Sequence, residues 1–191
     1  MSRSFKVFLF LLALFFFTFG GSVWYFSASL PKVIGPQQYR PMVVSNVISA
    51  GGEKIGEFFE LRREPVPLEK IPNVVINAFI ASEDAQFFSH KGIDLRGITR
   101  ALIKNFLAGR VTQGGSTITQ QVARNLLLTP ERKLSRKIKE VILAMRIERE
   151  LSKKEILYLY LNEIYLGHGA YGVQSAAQNY FGTNVWELNL A

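Results

Sequence analysis

The chain has 191 residues, 48% hydrophobic and only 20% charged, which excludes a disordered chain and suffices for one domain with a real core plus an appendage. A formal net charge of +8 and a pI near 9.8 point to anionic partners: nucleic acid, a phospholipid surface or a phosphorylated substrate. The absence of cysteine excludes disulfides, a thiolate nucleophile and thiolate metal sites, and two histidines, His90 and His168, cannot build a His-rich zinc site.

The first stretch is FKVFLFLLALFFFTFGGSVWYF, Phe5 to Phe26, whose only charge is Lys6. It is long enough to cross a hydrocarbon layer, which needs about 20 residues. Arg3 and Lys6 precede it, so the positive-inside rule keeps the N-terminus in the cytoplasm and sends the rest outside, with Trp24 and Tyr25 at the far interface. Ser27-Ala28-Ser29 offers a cleaved signal peptide as the alternative. The apolar stretch exceeds the usual h-region of roughly 7 to 15 residues, which favours an uncleaved anchor. Export removes nucleic acid as the first choice of partner.

Leu30 to Pro41 carries Pro31, Gly35 and Pro36 and reads as a linker. Met42 to Ser49 and Lys54 to Leu61 flank Ala50-Gly51-Gly52-Glu53 and predict a β-hairpin, stopped by Pro65 and Pro67. From Leu68 the pattern is helical almost to the end. Pro72 opens a helix through Ala81, and Asp94 caps another in which Leu95, Ile98, Leu102 and Phe106 recur at helical spacing.

Between these helices lies EDAQFFSHKG, Glu83 to Gly92, where adjacent carboxylates and His90 end an apolar run. A carboxylate at the end of a buried helix is partly desolvated, which raises its pKa and makes it a usable general base or acid. Glu83 is therefore the candidate for the chemistry. The bland alternative is that Glu83 and Asp84 mark an exposed helix end.

GRVTQGG, Gly109 to Gly115, is expected to be a mobile loop. Ser116 to Gln121 then packs hydroxyls and amides at a helix start, where free amide hydrogens suit a phosphate group, although Ser116 or Thr117 can equally be a simple cap. No Gly-Lys-Ser/Thr follows, so this is not a P-loop.

Thr129-Pro130-Glu131 predicts another helix start. The helix from Arg132 to Leu151 divides into an apolar face of Leu134, Ile138, Val141 and Met145 and a second face of Lys133, Lys137, Glu140 and Ala144, with Arg136 beside it. Read alone, RKIKE at 136–140 is a solvated charge run with an i,i+4 pair. Its interest is that it supplies a second carboxylate and a cation cluster. Ser152-Lys153-Lys154-Glu155 is a capping box, and Ile156, Leu157, Leu159, Tyr160 and Leu161 behind it read as core and frame. Gly167, Gly169 and Gly172 make a turn-rich connection to a short helix from Val173 to Gly182 whose small residues permit close packing. Leu188 to Ala191 begins an apolar stretch without finishing it, so the chain is expected to be truncated.

In order and spacing, EDAQFFSHKG, GGSTITQQ, RKIKE, KKEILYLYLN and YGVQSAAQNYFG resemble the five motifs of the family 51 peptidoglycan glycosyltransferases. The hairpin and linker look like the N-terminal part of class A penicillin-binding proteins. Each motif is weak alone, but five in register are specific. The resemblance implies a mainly α, lysozyme-like glycosyltransferase domain with a small N-terminal β-hairpin and an N-terminal transmembrane helix. Its expected divisions are 1–27, cytoplasmic tip and anchor; 28–67, linker and hairpin; and 68–191, the glycosyltransferase domain. The implied activity is polymerisation of lipid II into glycan strands at the outer face of the cytoplasmic membrane, by inverting transfer from a lipid diphosphate.

Carried over by this resemblance, the catalytic residues are Glu83, matching the base, and Glu140, the second essential carboxylate, which orients substrate or stabilises positive charge at the donor carbon. The implied substrate-binding set is Asp84, Phe87, His90, Ser116, Thr117, Gln120, Gln121, Arg124, Arg136 and Lys137. Arg136 and Lys137 face the diphosphate, and Arg124 stands where some members have lysine. Thr183 replaces a common lysine after Tyr180-Phe181-Gly182.

A divalent cation, Mg or Mn, is expected with the diphosphate, and no organic cofactor. The expected partners are lipid II, the growing glycan strand, the membrane and cell-wall synthesis proteins, not nucleic acid. The serine-lysine motifs of a transpeptidase are missing, so no such activity is expected of this chain. Two rivals remain: a lysozyme-like glycan-cleaving enzyme, which needs no Arg136 and Lys137 at the scissile bond, and a silent membrane-anchored binding module, which has no need of both Glu83 and Glu140.

Overall fold

The computed structural model describes residues 3–129 and 134–189. Pro130 and Glu131 of the predicted helix start, Arg132 and Lys133 of the helix after it, and Leu190 and Ala191 lie outside the described residues. The described chain is mainly helical, with an antiparallel hairpin and one minimal parallel strand pair.

Helix α1, Arg3–Ala28, is continuous over 26 residues, about 39 Å at 1.5 Å per residue. Among the described residues no helix is long and apolar enough to cross a membrane.

The expected linker is a strap. Leu30, Val33 and Ile34 pack on the core, and Tyr39 is buried with its hydroxyl donating to Glu163 at 2.6 Å. Arg63 donates to the other Glu163 oxygen at 3.0 Å. Proline and glycine marked the stretch as irregular, which it is, but irregular backbone can still be pinned by spaced apolar side chains.

Strands β1, Ser45–Ile48, and β2, Lys54–Phe58, form the predicted hairpin, shorter than expected and with a register irregularity between Val47 and Ile48. The pair β3, Arg62–Arg63, and β4, Ala170–Tyr171, is parallel and was not legible from the sequence. Two residues give no alternation to read.

Helix α2 runs Asn73–Glu83, α3 Leu95–Ala108, α4 Ile118–Leu127, α5 Leu134–Glu150, α6 Lys153–Glu163 and α7 Val173–Phe181. Gly109 ends α3 in the left-handed conformation that suits a residue without a Cβ (φ 63°). The core forms where α4, α5 and α6 meet, around Ile118, Val122, Leu143, Ile147, Ile156 and Leu159. Helix α6 is buried almost throughout, as a helix apolar on most sides must be.

The face assigned to α5 from sequence is corrected by the structure. Leu134, Ile138 and Met145 are exposed, Leu134 at 87%, whereas Glu140, Leu143, Ala144 and Ile147 form the buried stripe. Both sets have helical spacing. The apolar count favoured the wrong one because the true stripe contains a carboxylate and an alanine.

Candidate active site

The bend from Asp84 to Gly92 joins α2 to α3 and is held from inside. Asp84 is buried; its Oδ2 accepts from the Ile118 backbone N–H at 3.0 Å, and both its oxygens lie 2.9 Å from His90 Nε2. His90 Nδ1 accepts from the Gly92 N–H at 3.1 Å, so the ring carries a proton on Nε2 and donates it to Asp84. Thr117 Oγ1 donates to the Gly92 carbonyl at 2.7 Å. A Cβ on Gly92 (φ 93°) would lie 2.8 Å from the Ala144 carbonyl oxygen, so only glycine lets the bend sit this close to α5.

These contacts give several of the expected binding residues a structural part as well. Asp84 fills the N-terminus of α4, where a phosphate group had been an alternative ligand. Thr117 caps that helix, accepting from the Gln120 N–H, while Gln120 Oε1 accepts from the Thr117 N–H in a capping box. Phe87 is fully buried, its ring edge-on to Phe88. Asp84, Phe87, His90, Thr117 and Gln120 thus hold the bend and the start of α4 together, and Asp84 and Thr117 also line the cleft described below.

Glu83 is exposed, which corrects the expected desolvation: α2 buries only Ile80 and leaves its last turn open. The Glu83 carboxylate accepts from Gln121 Nε2 at 2.8 Å, its single hydrogen bond among the described residues. It stands on the wall of a cleft of ≈ 460 Å³ shared with Gln121, Arg124 and Ser116, and with Asp94, Arg100 and the loop residues Thr112 to Gly115. Arg124 Nε donates to Asn125 at 3.3 Å, and among the described residues the rest of its guanidinium has no hydrogen-bond partner and can meet an anion.

The second carboxylate is set differently. Glu140, 1% exposed, is paired with Arg136 and with Lys137, whose Nζ lies 3.1 Å from Oε2. Lys137 also donates to Ser116 Oγ at 2.8 Å, which ties this cluster to the cleft. Glu140 and Arg136 are not among the cleft-lining residues.

Sequence reasoning missed Asp94, Arg100 and Gln113 on the cleft wall. Asp94 was read as a cap, yet it makes no side-chain capping bond. Arg100 carried no signal beyond its place on an amphipathic helix. Tyr160, read as core, packs edge-on to Phe79 one turn before Glu83, and burial raises the pKa of its hydroxyl, with the negative charge of Glu83 adding and Arg124 opposing. The arrangement offers an accessible carboxylate able to take a proton, beside cations able to take an anionic leaving group.

A sequence profile described as transglycosylase matches residues 51–191, and the chain belongs to that family. Penicillin-binding protein 1A of Aquifex aeolicus strain VF5 is 55% identical over 160 residues, 84% of this chain and 22% of that protein. The protein of the same name from Escherichia coli K12 is 52% identical over 166 residues, 87% of this chain and 20% of the relative. That of Pseudomonas aeruginosa PAO1 is 45% identical over 174 residues, 91% and 21% respectively. The chain thus spans about a fifth of the length of the curated relatives it matches.

Proposed function

We propose that the chain is a peptidoglycan glycosyltransferase that polymerises lipid II in cell-wall synthesis and so serves cell shape. The observation that carries this reading is the accessible Glu83 carboxylate on a cleft shared with Arg124 and tied through Ser116 to Lys137. Glu83 takes the proton of the acceptor sugar's 4-hydroxyl as its oxygen bonds to the donor's anomeric carbon. The bond from that carbon to the lipid diphosphate breaks in the same displacement, which inverts the centre. Arg124, Lys137 and Arg136 meet the charge of the departing diphosphate. Gln121 orients Glu83 without neutralising it. Glu140 fixes Arg136 and Lys137, a more limited role than charge stabilisation at the donor carbon.

Among the described residues there is no group of three or more His, Asp or Glu side chains able to hold a metal ion. A divalent cation, Mg or Mn, would therefore rely on the diphosphate's own oxygens, and no step here runs through it.

The reading includes a single-pass anchor at α1 in the cytoplasmic membrane and a lysozyme-like catalytic domain on the outer side. The uncharged length of the sequence from Val7 to Phe26 supports the anchor. Helix α3 supports a position at the lipid surface: Leu102, Ile103, Phe106 and Leu107 are exposed, Phe106 at 87%, with Arg96, Arg100 and Lys104 on the same helix. Such a surface would bring the cleft, bordered by Gly97 and Arg100, to the headgroups where a polyprenyl diphosphate lies. The divisions 1–27, 28–67 and 68–191 belong to this proposal, with residues around Tyr39 strapped to the helical part.

Incubation of the protein with labelled lipid II tests the proposal. Glycan polymer and undecaprenyl diphosphate are the expected products. Shortening of preformed strands without polymer growth would favour the glycan-cleaving rival.

A further inference from the structure

The fourth sequence motif has no part in the proposed reaction, and its Lys153 does not line the cleft. As the first residue of α6, Lys153 puts a cation at the positive end of a helix dipole, where an acid is favoured. Specific contacts hold it there. Its Nζ donates to the His90 carbonyl oxygen at 2.8 Å, lies 2.8 Å from both carboxylate oxygens of Glu148, and sits 4.4 Å from the centroid of the Phe87 ring. An ammonium has three protons, and a carbonyl, a carboxylate and a ring face occupy its three directions.

Glu148, on α5, also accepts from Thr119 Oγ1 of α4 at 2.6 Å, and its side chain is only 5% exposed. One ionic joint therefore connects α4, α5, α6 and the bend that follows Glu83. Among the described residues the bend has two other polar ties to the helical body, Asp84 to the Ile118 N–H and Gly92 to Thr117, and both are at the start of α4. Two ties to one helix leave an axis about which the bend can rock. A third tie from another helix removes that freedom.

We infer that Lys153, with Glu148 as its counter-charge, is a positioning residue for Glu83. It pins the middle of the bend at His90 and Phe87, so that the last turn of α2 holds the Glu83 carboxylate in line with the acceptor hydroxyl. The kinetic consequence rests on the proposed function; the structural one does not. Because Lys153 stays out of the cleft, its loss acts on the rate of proton transfer and leaves lipid II binding alone.

The test uses Lys153→Met, which keeps the apolar stem and removes the charge, in the detergent-solubilised full chain. The kcat for lipid II polymerisation falls about tenfold or more, since a misplacement of an ångström at a reacting group costs about a hundredfold, while KM stays within about twofold. Amide exchange at Phe87, Ser89 and His90, whose N–H groups bond within the bend, accelerates while the cores of α4 and α5 stay protected. Lys153→Arg restores most of kcat. Unchanged exchange in the bend overturns the inference, as does an effect on KM alone. If Lys153→Met does not fold, Glu148→Gln, which leaves the lysine without its counter-charge, is read by the same two measurements. A wild-type protein that makes no polymer defeats the proposed function instead, and the exchange result still decides whether Lys153 clamps the bend.

Discussion

At the end of α2 the Glu83 carboxylate is exposed and, among the described residues, takes one hydrogen bond, from Gln121; on α5 the Glu140 carboxylate is buried and paired with Arg136 and Lys137. A base must lose little when it gains a proton, so few partners and open access suit Glu83 to that task. A carboxylate buried between two cations instead keeps those cations in place. On the proposed mechanism the two motif glutamates divide the work, one for the proton and one for the order of the cation cluster.

The largest expected effect of breaking this contrast is at Glu83. Glu83→Gln keeps the Gln121 contact within reach and removes the base, so kcat falls about a thousandfold. Glu140→Gln leaves both cations short of charge, and unfolding measurements show a loss of about 2 kcal/mol together with weaker lipid II binding. Thr117→Val removes a cap and the tie to Gly92; denaturant titration shows a loss of about 1–2 kcal/mol, with a smaller fall in rate than at Glu83.

The smallest effect concerns Glu163 under the strap. Burial raises its pKa, against the lowering effects of the Tyr39 hydrogen bond and Arg63. A raised folded-state value means a contribution to stability that is full below the ordinary carboxylate range and lost as pH rises through the folded value. Stability curves at several pH values show that decline, and Glu163→Gln flattens it.

Two helix starts were legible, although Asp94 makes no side-chain capping bond at the third. The Ser152–Glu155 box depends on local chemistry and is in place, and the cap left open between Ser116 and Thr117 falls to Thr117. The hairpin was legible for the same reason. What failed depends on partners distant in sequence. Leu134, Ile138 and Met145 look like a core stripe until α4 and α6 claim the other side of α5. Tyr39 looks like part of a linker until Glu163 is placed beneath it.

Site residues follow the same division. The motif spacing singled out Asp84, Phe87 and His90, but spacing does not say whether a residue faces the cleft or supports one that does. Asp94 and Arg100 reach the cleft only because α3 folds over it, which no local pattern announces.

The most direct test is a parallel measurement of lipid II binding, polymer yield and melting temperature for Glu83→Gln and Glu140→Gln. The account predicts that Glu83→Gln binds lipid II and melts as the wild type does but makes no detectable polymer, while Glu140→Gln loses stability and binding as well as rate. Undiminished polymerisation by Glu83→Gln, or equal losses of binding and stability in both variants, would contradict it.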